Sequence, residues 1–178
     1  AKTFLDKIYA PNFGIPASDL YNLWAPSYDD ELNFNQYVTP IRCAKMLFKY
    51  CPDTNINVLD FGCGSGLSGE ALYSFGFQKI DGLDLSAEML KLAGQKGIYT
   101  ELTKDDLNTL IERGYKYDAI IAAGVISPGH AQPTSIDLAL SLLKQRGILV
   151  FSLNDHALRN KSFIEQIETI LANESIDI

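Results

Sequence analysis

The spacing of apolar residues changes near residue 56 of this chain. Before that point one clear helix is predicted after Thr39-Pro40, an N-cap followed by a proline at the first helical position, and it ends before Pro52. Its apolar positions recur at helical spacing: Ile41, Ala44, Leu47, Phe48 and Cys51. Residues 1–36 precede it, lack clear periodicity, and are expected to form an N-terminal arm with one or two short helices.

After residue 56, short apolar runs alternate with helical patterns. Five strands are predicted at residues 57–61, 79–84, 98–102, 117–123 and 148–153, and helices at residues 66–75, 86–96, 106–113, 134–145 and 160–173. Ser86 is expected to cap its helix, and glycines stand where three helices should end: Gly97, Gly114 and Gly147. This alternation predicts an α/β, Rossmann-like doubly wound sheet with helices on both faces. In such sheets, ligands bind at the carboxyl ends of the strands.

Composition and charge narrow the class of protein. The chain has 178 residues, 47% of them hydrophobic, which suits one globular domain, assigned to residues 37–178 behind the arm. Its formal net charge of −7 argues against a nucleic-acid partner, and no apolar run approaches the roughly 20 residues that cross a membrane. Cys43, Cys51 and Cys63 lack CxxC spacing, so reduced thiols and a cytoplasmic location are expected, and no metal site is predicted.

The most informative segment is VLDFGCGSG at residues 58–66, a strand that runs into a glycine-rich turn before a helix. Glycines there allow a tight turn and a close approach of the backbone to a ligand. The overlapping segment GSGLSG, at residues 64–69, also fits the dinucleotide fingerprint, because Asp84 lies 20 residues beyond Gly64. The glycines alone therefore leave two cofactor classes open.

Three acids favour a positively charged nucleoside over a dinucleotide. Asp60 stands two residues before Gly62 and is expected at the mouth of the site, where it would oppose a pyrophosphate and suit an ammonium or sulfonium group. Asp84 ends the second strand, where an acid can accept both hydroxyls of a ribose. Asp106 follows the third strand near the same rim, although an acid there also suits a helix N-terminus.

These segments resemble the class I S-adenosylmethionine-dependent methyltransferases. VLDFGCGSG is similar to their first motif, and DLSAEML at residues 84–90 is similar to their second. YNLWAPSYD at residues 21–29 resembles the YxxWAxxYD segment of a narrower subgroup, the methyltransferase-like proteins of the Williams–Beuren-region type. The segments at residues 76–82, 96–99 and 129–130 are also similar to that subgroup. The resemblance spans about residues 20–155 and implies five parallel strands in the order 3-2-1-4-5.

The resemblance implies a role for each matching residue around the cofactor, S-adenosylmethionine. Gly62, Gly64 and Gly66 would form the floor under its methionine portion, while Asp60 would orient its amino group, directly or through water. Asp84 would hold the ribose hydroxyls.

The adenine and the open side of the site would involve further residues. Leu85 and Met89 would pack on the adenine, Asp106 and the Leu107 backbone would face its edge, and Ala123 would lie near the methionine portion. Two residues of the arm, Trp24 and Tyr28, would close the site. The predicted cofactor contacts also include Cys63, Leu67 and Ser86.

The chemistry itself demands few side chains. Methyl transfer is an in-line displacement, for which the enzyme mainly supplies proximity and alignment. A base is needed only if the acceptor must lose a proton, and His130 after the fourth strand is the candidate, the alternative being a loop histidine bonded to backbone. A small-molecule acceptor is expected, but its identity does not follow. A dinucleotide-dependent oxidoreductase and a catalytically silent cofactor-binding module are the alternative functions.

The chain departs from the family pattern in two places. KQRG at residues 144–147 replaces the usual Lys-Pro-Gly-Gly turn. The two terminal antiparallel strands of the family have no counterpart in the sequence, which leaves the fifth strand as an open apolar edge. We therefore expect that a C-terminal segment lies beyond this sequence, or that another chain covers the edge, as in a homodimer.

Overall fold

Five strands form one parallel sheet. The computed structural model describes residues 16–34 and 36–173. The strands are β1 (Asn57–Phe61), β2 (Lys79–Asp84), β3 (Glu101–Lys104), β4 (Tyr117–Ala122) and β5 (Leu143–Phe151). They lie in the order β3-β2-β1-β4-β5, and each neighbouring pair is parallel. The predicted fold class and strand order are confirmed.

Helices connect the strands and cover the sheet. In the order of the chain they are α1 (Ala17–Trp24), α2 (Tyr28–Phe34), α3 (Thr39–Tyr50), α4 (Leu67–Ser74), α5 (Ala87–Gln95), α6 (Leu107–Glu112), α7 (Ser135–Ser141), α8 (Asp155–Leu158) and α9 (Lys161–Leu171). None of the helices in the described ranges is both long and apolar enough to span a membrane.

Both faces of the sheet are buried. Val58 of β1 packs on one face in a cluster with Leu47 of α3 and Phe77. The next residue, Leu59, packs on the other face with Leu110 of α6 and with other apolar side chains. This alternation follows from the two-residue period of a strand. Because the faces are largely apolar and covered, a ligand site is expected at the strand ends.

The arm lies against the loops at the carboxyl ends of β1 and β2. Its described part contains α1, a 3₁₀ turn (Ala25–Ser27) and α2, in agreement with the predicted short helices. In α1, Asn22 Oδ1 accepts a hydrogen bond from Ser86 Oγ at 2.6 Å. In α2, the Asp29 carboxylate accepts a hydrogen bond from Ser65 and pairs with Lys96 at 3.2 Å. The predicted arm before residue 16 and the chain end at residues 174–178 lie outside the described residues.

The third strand begins later than predicted. Its ladder with β2 runs from the pair Asp81–Glu101 to the pair Asp84–Lys104, so the prediction of residues 98–102 was wrong by about three residues. The apolar run that suggested an earlier start includes Tyr99, whose hydroxyl donates to the buried Asp60 at 2.7 Å. Tyr99 therefore packs beneath the loop after β1, and it lies outside the ladder between β2 and β3.

The fifth strand begins earlier than predicted, and the helix before it is shorter. The helix ends at Ser141 instead of residue 145, and β5 starts at Leu143 instead of residue 148. The register of β5 against β4 shifts between the pairs Tyr117–Leu143 and Ala119–Ile148, so that residues 144–147 of β5 lie opposite a single residue of β4. Gly147 therefore lies inside β5 and does not end a helix as expected, while Arg146 takes the left-handed conformation with φ of 63°.

The helix boundaries otherwise follow the predicted signals closely. Ser86 caps α5 by accepting a hydrogen bond from the Met89 N–H at 3.1 Å. Gly97 and Gly114 follow helix ends with positive φ, as predicted. Thr39 does not cap α3, because the helix starts at Thr39 itself and Val38 takes the cap position. The helix α8 was not predicted.

Candidate functional site

A cavity of about 320 Å³ opens at the carboxyl ends of the central strands. We call it the first cavity. Its walls come from the loops after β1, β2, β3 and β4 and from α1, α2 and α7. Of the predicted site residues, nine line it: Tyr28, Gly62, Gly64, Asp84, Leu85, Asp106, Leu107, Ala123 and His130. The chain order thus brings most of the predicted site together where parallel sheets bind ligands.

The turn after β1, residues 62–66, forms the floor of the first cavity and is called the glycine loop. Gly62 has φ of 68°, and a side chain there would collide with Val125. Gly64 has φ of 53° but open space around the position of a Cβ atom. Gly62 is therefore required by packing and conformation, whereas Gly64 leaves room for a ligand over its backbone.

Asp84 connects the glycine loop to the end of β2. Its carboxylate accepts hydrogen bonds from the backbone N–H of Gly64 at 2.9 Å and from that of Ser86 at 2.8 Å. Burial raises the pKa of Asp84 above its ordinary value. A carboxylate has about four acceptor positions, so the two N–H bonds leave capacity for hydroxyl groups of a ligand in the cavity.

Two further acids stand at the rim after β3. Asp106 caps α6 by accepting a hydrogen bond from the Thr109 N–H at 3.1 Å, which is the alternative role considered for it. Asp105, which the sequence analysis missed, accepts a hydrogen bond from Thr109 Oγ1 at 2.7 Å, and that bond lowers its pKa. None of the described lining residues of the first cavity is a lysine or an arginine; of its acids Asp84, Asp105 and Asp106, Asp105 lies 4.0 Å from Arg113, which is outside the lining.

Asp60 does not stand at the mouth of the site, and that expectation was wrong. Its side chain is fully buried behind the glycine loop, on the sheet face that it shares with Val58. Ser68 Oγ lies 2.8 Å and 2.7 Å from its two oxygens, and Tyr99 donates to it at 2.7 Å. Burial raises the pKa of Asp60 to about 6.

Tyr99 is a supporting residue that the sequence analysis missed as such. Besides its bond to Asp60, its side chain lies so close to Gly69 that a Cβ atom there would collide with it, and its ring also lies against Gly82, where a Cβ atom would collide with Leu102. In the sequence, Tyr99 stands out only for its family resemblance and as part of the predicted third strand. A tyrosine beside two glycines in the fold could not have been read from linear spacing.

Several predicted cofactor contacts lie behind or beside the walls of the first cavity. Met89 is buried in the core and Ser86 is occupied as a helix cap, while Cys63 is buried and its thiol pKa is raised by that burial. Leu85, by contrast, is 56% exposed and lines the cavity, so it offers a flat apolar contact. The predicted site residues that are absent from the lining are Trp24, Asp60, Cys63, Gly66, Leu67, Ser86 and Met89.

His130 is held between two hydroxyl groups. Its Nε2 atom lies 2.8 Å from the hydroxyl of Tyr21, and its Nδ1 atom lies 2.8 Å from Ser127 Oγ. Burial lowers the pKa of His130, which favours the neutral ring at pH 7. Tyr21 was quoted in the sequence analysis only as part of the arm segment, and its contact across 109 residues to His130 was not foreseen.

A second cavity of about 240 Å³ adjoins the first. The two share Tyr21, Tyr28 and Gly124 in their walls. The rest of its lining combines apolar groups with hydroxyl and amide groups from α1, α2, the segment before α3, α3 and the loops after β4 and β5: Trp24, Leu32, Tyr37, Thr39, Ile126, Ser127, Ser152, Leu153 and Asn154. Trp24 thus belongs to this cavity, and Tyr28 to both.

Comparison with known proteins gives relatives whose names include methyltransferase. Human methyltransferase-like protein 27 is 28% identical over 155 residues, which cover 85% of this chain and 62% of that protein. A yeast (Saccharomyces cerevisiae) 18S rRNA (guanine(1575)-N(7))-methyltransferase is 40% identical over 70 residues, which cover 39% of this chain and 26% of that protein. The chain thus spans less than two thirds of either relative. Because one relative is named for rRNA, the predicted absence of a nucleic-acid partner does not follow from family membership.

A solved structure has the same fold. The plantazolicin methyltransferase in complex with SAH superposes with a TM-score of 0.55 at 18% identity, over 85% of this chain and 63% of that one. In addition, a family model described as "Methyltransferase domain" matches residues 58–147, which are 90 of the 178 residues. The match begins at the glycine-loop strand and includes Asp84 and His130. Since it covers more than half of the sequence, the chain belongs to the methyltransferase-domain family of class I S-adenosylmethionine-dependent enzymes.

Proposed function

We propose that this chain binds S-adenosylmethionine in the first cavity and transfers its methyl group to a small-molecule acceptor. The observation that carries the proposal is the pairing of Gly64 with Asp84: an open glycine floor whose N–H is bonded to the acid at the end of β2. The charged side chains of the described lining are all acidic, which suits a ligand with ammonium and sulfonium groups.

The residues of the first cavity fit the parts of this cofactor. The backbone of Gly62 and Gly64 would lie under its methionine portion, and Asp84 would accept the ribose hydroxyls. The exposed side chain of Leu85 would pack on the adenine, with Asp106 at the adenine edge. When bound, the cofactor supplies an electrophilic methyl group, and the chain supplies orientation and exclusion of water. Asp60 would act from behind the floor, as a buried acid that supports the loop.

The hydrogen bonding of the glycine loop argues against a dinucleotide. A pyrophosphate on a helix N-terminus is held by free backbone N–H groups. Here the Gly64 N–H is donated to Asp84, and the Gly66 N–H is donated to the Cys63 carbonyl at 2.9 Å. The methyltransferase function therefore uses the loop as it is folded, whereas a pyrophosphate held by the Gly64 and Gly66 N–H groups would require these two bonds to break.

The remaining parts of the proposal concern partners and location. The acidic rim of the first cavity and the net charge of −7 support a small molecule over an RNA acceptor. The outer edge of β5 pairs with no strand within residues 16–34 and 36–173, which supports a homodimer through that edge. Three cysteines without disulfide bonds support a cytoplasmic location.

Isothermal titration calorimetry tests the cofactor. We expect S-adenosylmethionine and S-adenosylhomocysteine to bind and the nicotinamide dinucleotides to give no heat. Asp84→Ala should weaken binding by about 1.5–3 kcal/mol, the range for a hydrogen bond to a charged group. The matched control is Asp155→Ala, an acid whose side chain is 83% exposed, which should leave the affinity unchanged. Binding of a dinucleotide alone, or an unchanged affinity of Asp84→Ala, contradicts the proposal. A screen for S-adenosylhomocysteine release with candidate acceptors then separates an enzyme from a silent binding module.

A further inference from the structure

We propose that the second cavity is the acceptor site for a small, uncharged compound with a hydroxyl group, and that Tyr21 takes the hydroxyl proton and passes its own proton to His130. This inference rests on the proposed function, because the first cavity must hold the methyl donor. It adds the chemical class of the acceptor and the residue that receives its proton.

The two cavities differ in charge. Three acids line the first cavity, whereas the lining of the second, within the described residues, has no charged side chain. A charged group buried without a partner carries a large desolvation cost. An uncharged compound avoids this cost, and hydroxyl groups of the lining can bond its polar atoms: Ser152 Oγ accepts from the Gly124 N–H at 2.8 Å and can still donate.

The size and walls of the second cavity favour a single ring. An apolar cavity of about 150 Å³ accommodates benzene, so about 240 Å³ leaves room for one ring with small substituents. Aromatic walls from Trp24, Tyr28 and Tyr37 offer flat contacts to such a ring. Trp24 and Tyr28 meet edge to face, with ring centroids 4.6 Å apart, so this wall is already packed.

Tyr21 stands at the boundary between the cavities. It is in the wall of both, and its hydroxyl lies 2.8 Å from His130 Nε2. Its ring stacks on Trp24 with centroids 5.7 Å apart and lies edge to face with Tyr28 at 6.0 Å. These contacts fix the phenol on the side of the second cavity that faces the first.

A chain of hydrogen bonds leads the proton away from the boundary. The relay uses the tautomer with the ring proton on Nδ1: Nδ1–H then donates to Ser127 Oγ at 2.8 Å, and Nε2 accepts from the Tyr21 hydroxyl at 2.8 Å. The lowered pKa of His130 keeps the ring neutral and able to accept. The acceptor's hydroxyl proton moves to the Tyr21 oxygen while the Tyr21 proton moves to Nε2. The electron pair left on the oxygen of the methyl acceptor forms the bond to the methyl carbon, and the electron pair of the broken carbon–sulfur bond stays on sulfur. The imidazolium of His130 later releases its proton to water.

Nitrogen NMR of the histidine rings tests the relay without turnover. The chain has two histidines, so a His156→Gln variant assigns the His130 signals. We expect a neutral ring with the proton on Nδ1 at about pH 7. Tyr21→Phe should raise the pKa of His130 by about 0.5–1, because a hydrogen bond to the neutral ring is lost. Tyr73→Phe, at a tyrosine that is 50% exposed, is the control. A proton on Nε2, or an unchanged pKa in Tyr21→Phe, overturns the relay.

Binding of ring compounds to the protein loaded with S-adenosylhomocysteine tests the acceptor class. We expect 4-methylphenol to bind and to shift the His130 nitrogen signals, while benzoate and benzylammonium bind at least tenfold more weakly. Thr39→Phe fills only the second cavity, so it should weaken the binding of 4-methylphenol at least tenfold and leave the affinity for S-adenosylhomocysteine unchanged. Thr100→Phe, at an exposed position outside both cavities, is the matched control.

The outcomes separate the two proposals. Failure of S-adenosylhomocysteine to bind contradicts the proposed function, whatever the ring compounds do. Normal S-adenosylhomocysteine binding with no preference for the phenol, no binding of any of the three rings, or no effect of Thr39→Phe overturns the acceptor site alone. Phenol binding that no longer shifts the His130 signals in Tyr21→Phe supports the relay, since the ring of residue 21 is retained.

Discussion

Asp60→Asn measures what it costs the fold to keep a carboxylic acid behind the glycine loop. The acid is fully buried, and its pKa is raised from the ordinary 3.8 to about 6 by that burial. At 1.36 kcal/mol per pKa unit, the difference corresponds to about 3 kcal/mol. Asparagine keeps the shape and can still accept from Tyr99 and bond to Ser68, but it does not ionise.

The sign follows from proton binding in the two states. Between pH 3.8 and about 6 the folded protein keeps the Asp60 proton while the unfolded chain has lost it. The free energy of unfolding therefore falls as pH rises through this window. The asparagine variant lacks this loss, so it should gain stability over the natural protein by about 2 kcal/mol between about pH 4 and pH 7.5.

Urea unfolding of both proteins across that pH range provides the assay. The difference between the two curves isolates residue 60, because most other titrating groups contribute equally to both. The reasoning is refuted if the difference stays constant within about 0.5 kcal/mol, or if the variant becomes relatively less stable as the pH rises. Either result would mean that Asp60 is ionised at little cost in the folded protein.

Three further predictions test the glycine loop, the arm and the fifth strand. Gly64→Ala and Gly97→Ala should each lower the free energy of unfolding in urea by about 1 kcal/mol, because both glycines have positive φ and open space around the Cβ position. Only Gly64→Ala should lose S-adenosylhomocysteine binding in calorimetry, and equal affinities of the two variants would contradict the assignment of Gly64 to the cofactor floor. Asn22→Ala removes a hydrogen bond to the first turn of α5 and should speed amide exchange in α1, whereas Asn55→Ala, in the loop before β1, should not. Arg146→Gly should raise the free energy of unfolding by about 1 kcal/mol, because glycine accepts φ of 63° without strain; a less stable variant would show that the arginine side chain outweighs its backbone conformation.

The fold was predictable because its signal is local and repeated. Each strand is a short apolar run, each helix has its own periodicity, and their alternation leaves the parallel doubly wound sheet as the expected arrangement. The boundaries that failed involve non-local causes. The ring of Tyr99 packs against Gly69 and Gly82, which are distant in the sequence. Arg146 lies in an irregularity of β5 that is defined only by the pairing of β5 with β4.

The site was predictable in its loops and less so in its side-chain directions. Asp84 lines the first cavity as expected, since it ends β2 beside the glycine loop. Asp60 was misplaced although its direction follows from strand period: Val58 and Asp60 point to one face, and Val58 is core. The contact of Tyr21 with His130 joins the arm to the loop after β4, and no spacing in the sequence encodes it.

The bonds between the arm and the glycine loop have a kinetic consequence. Asp29 is bonded to Ser65 of the loop and paired with Lys96, which also pairs with Glu70 of α4 at 2.5 Å. The arm and the floor of the first cavity therefore cannot separate without breaking these bonds together. We expect a ligand that leaves past α1 to wait for that event, so that its residence time depends on contacts that never touch it.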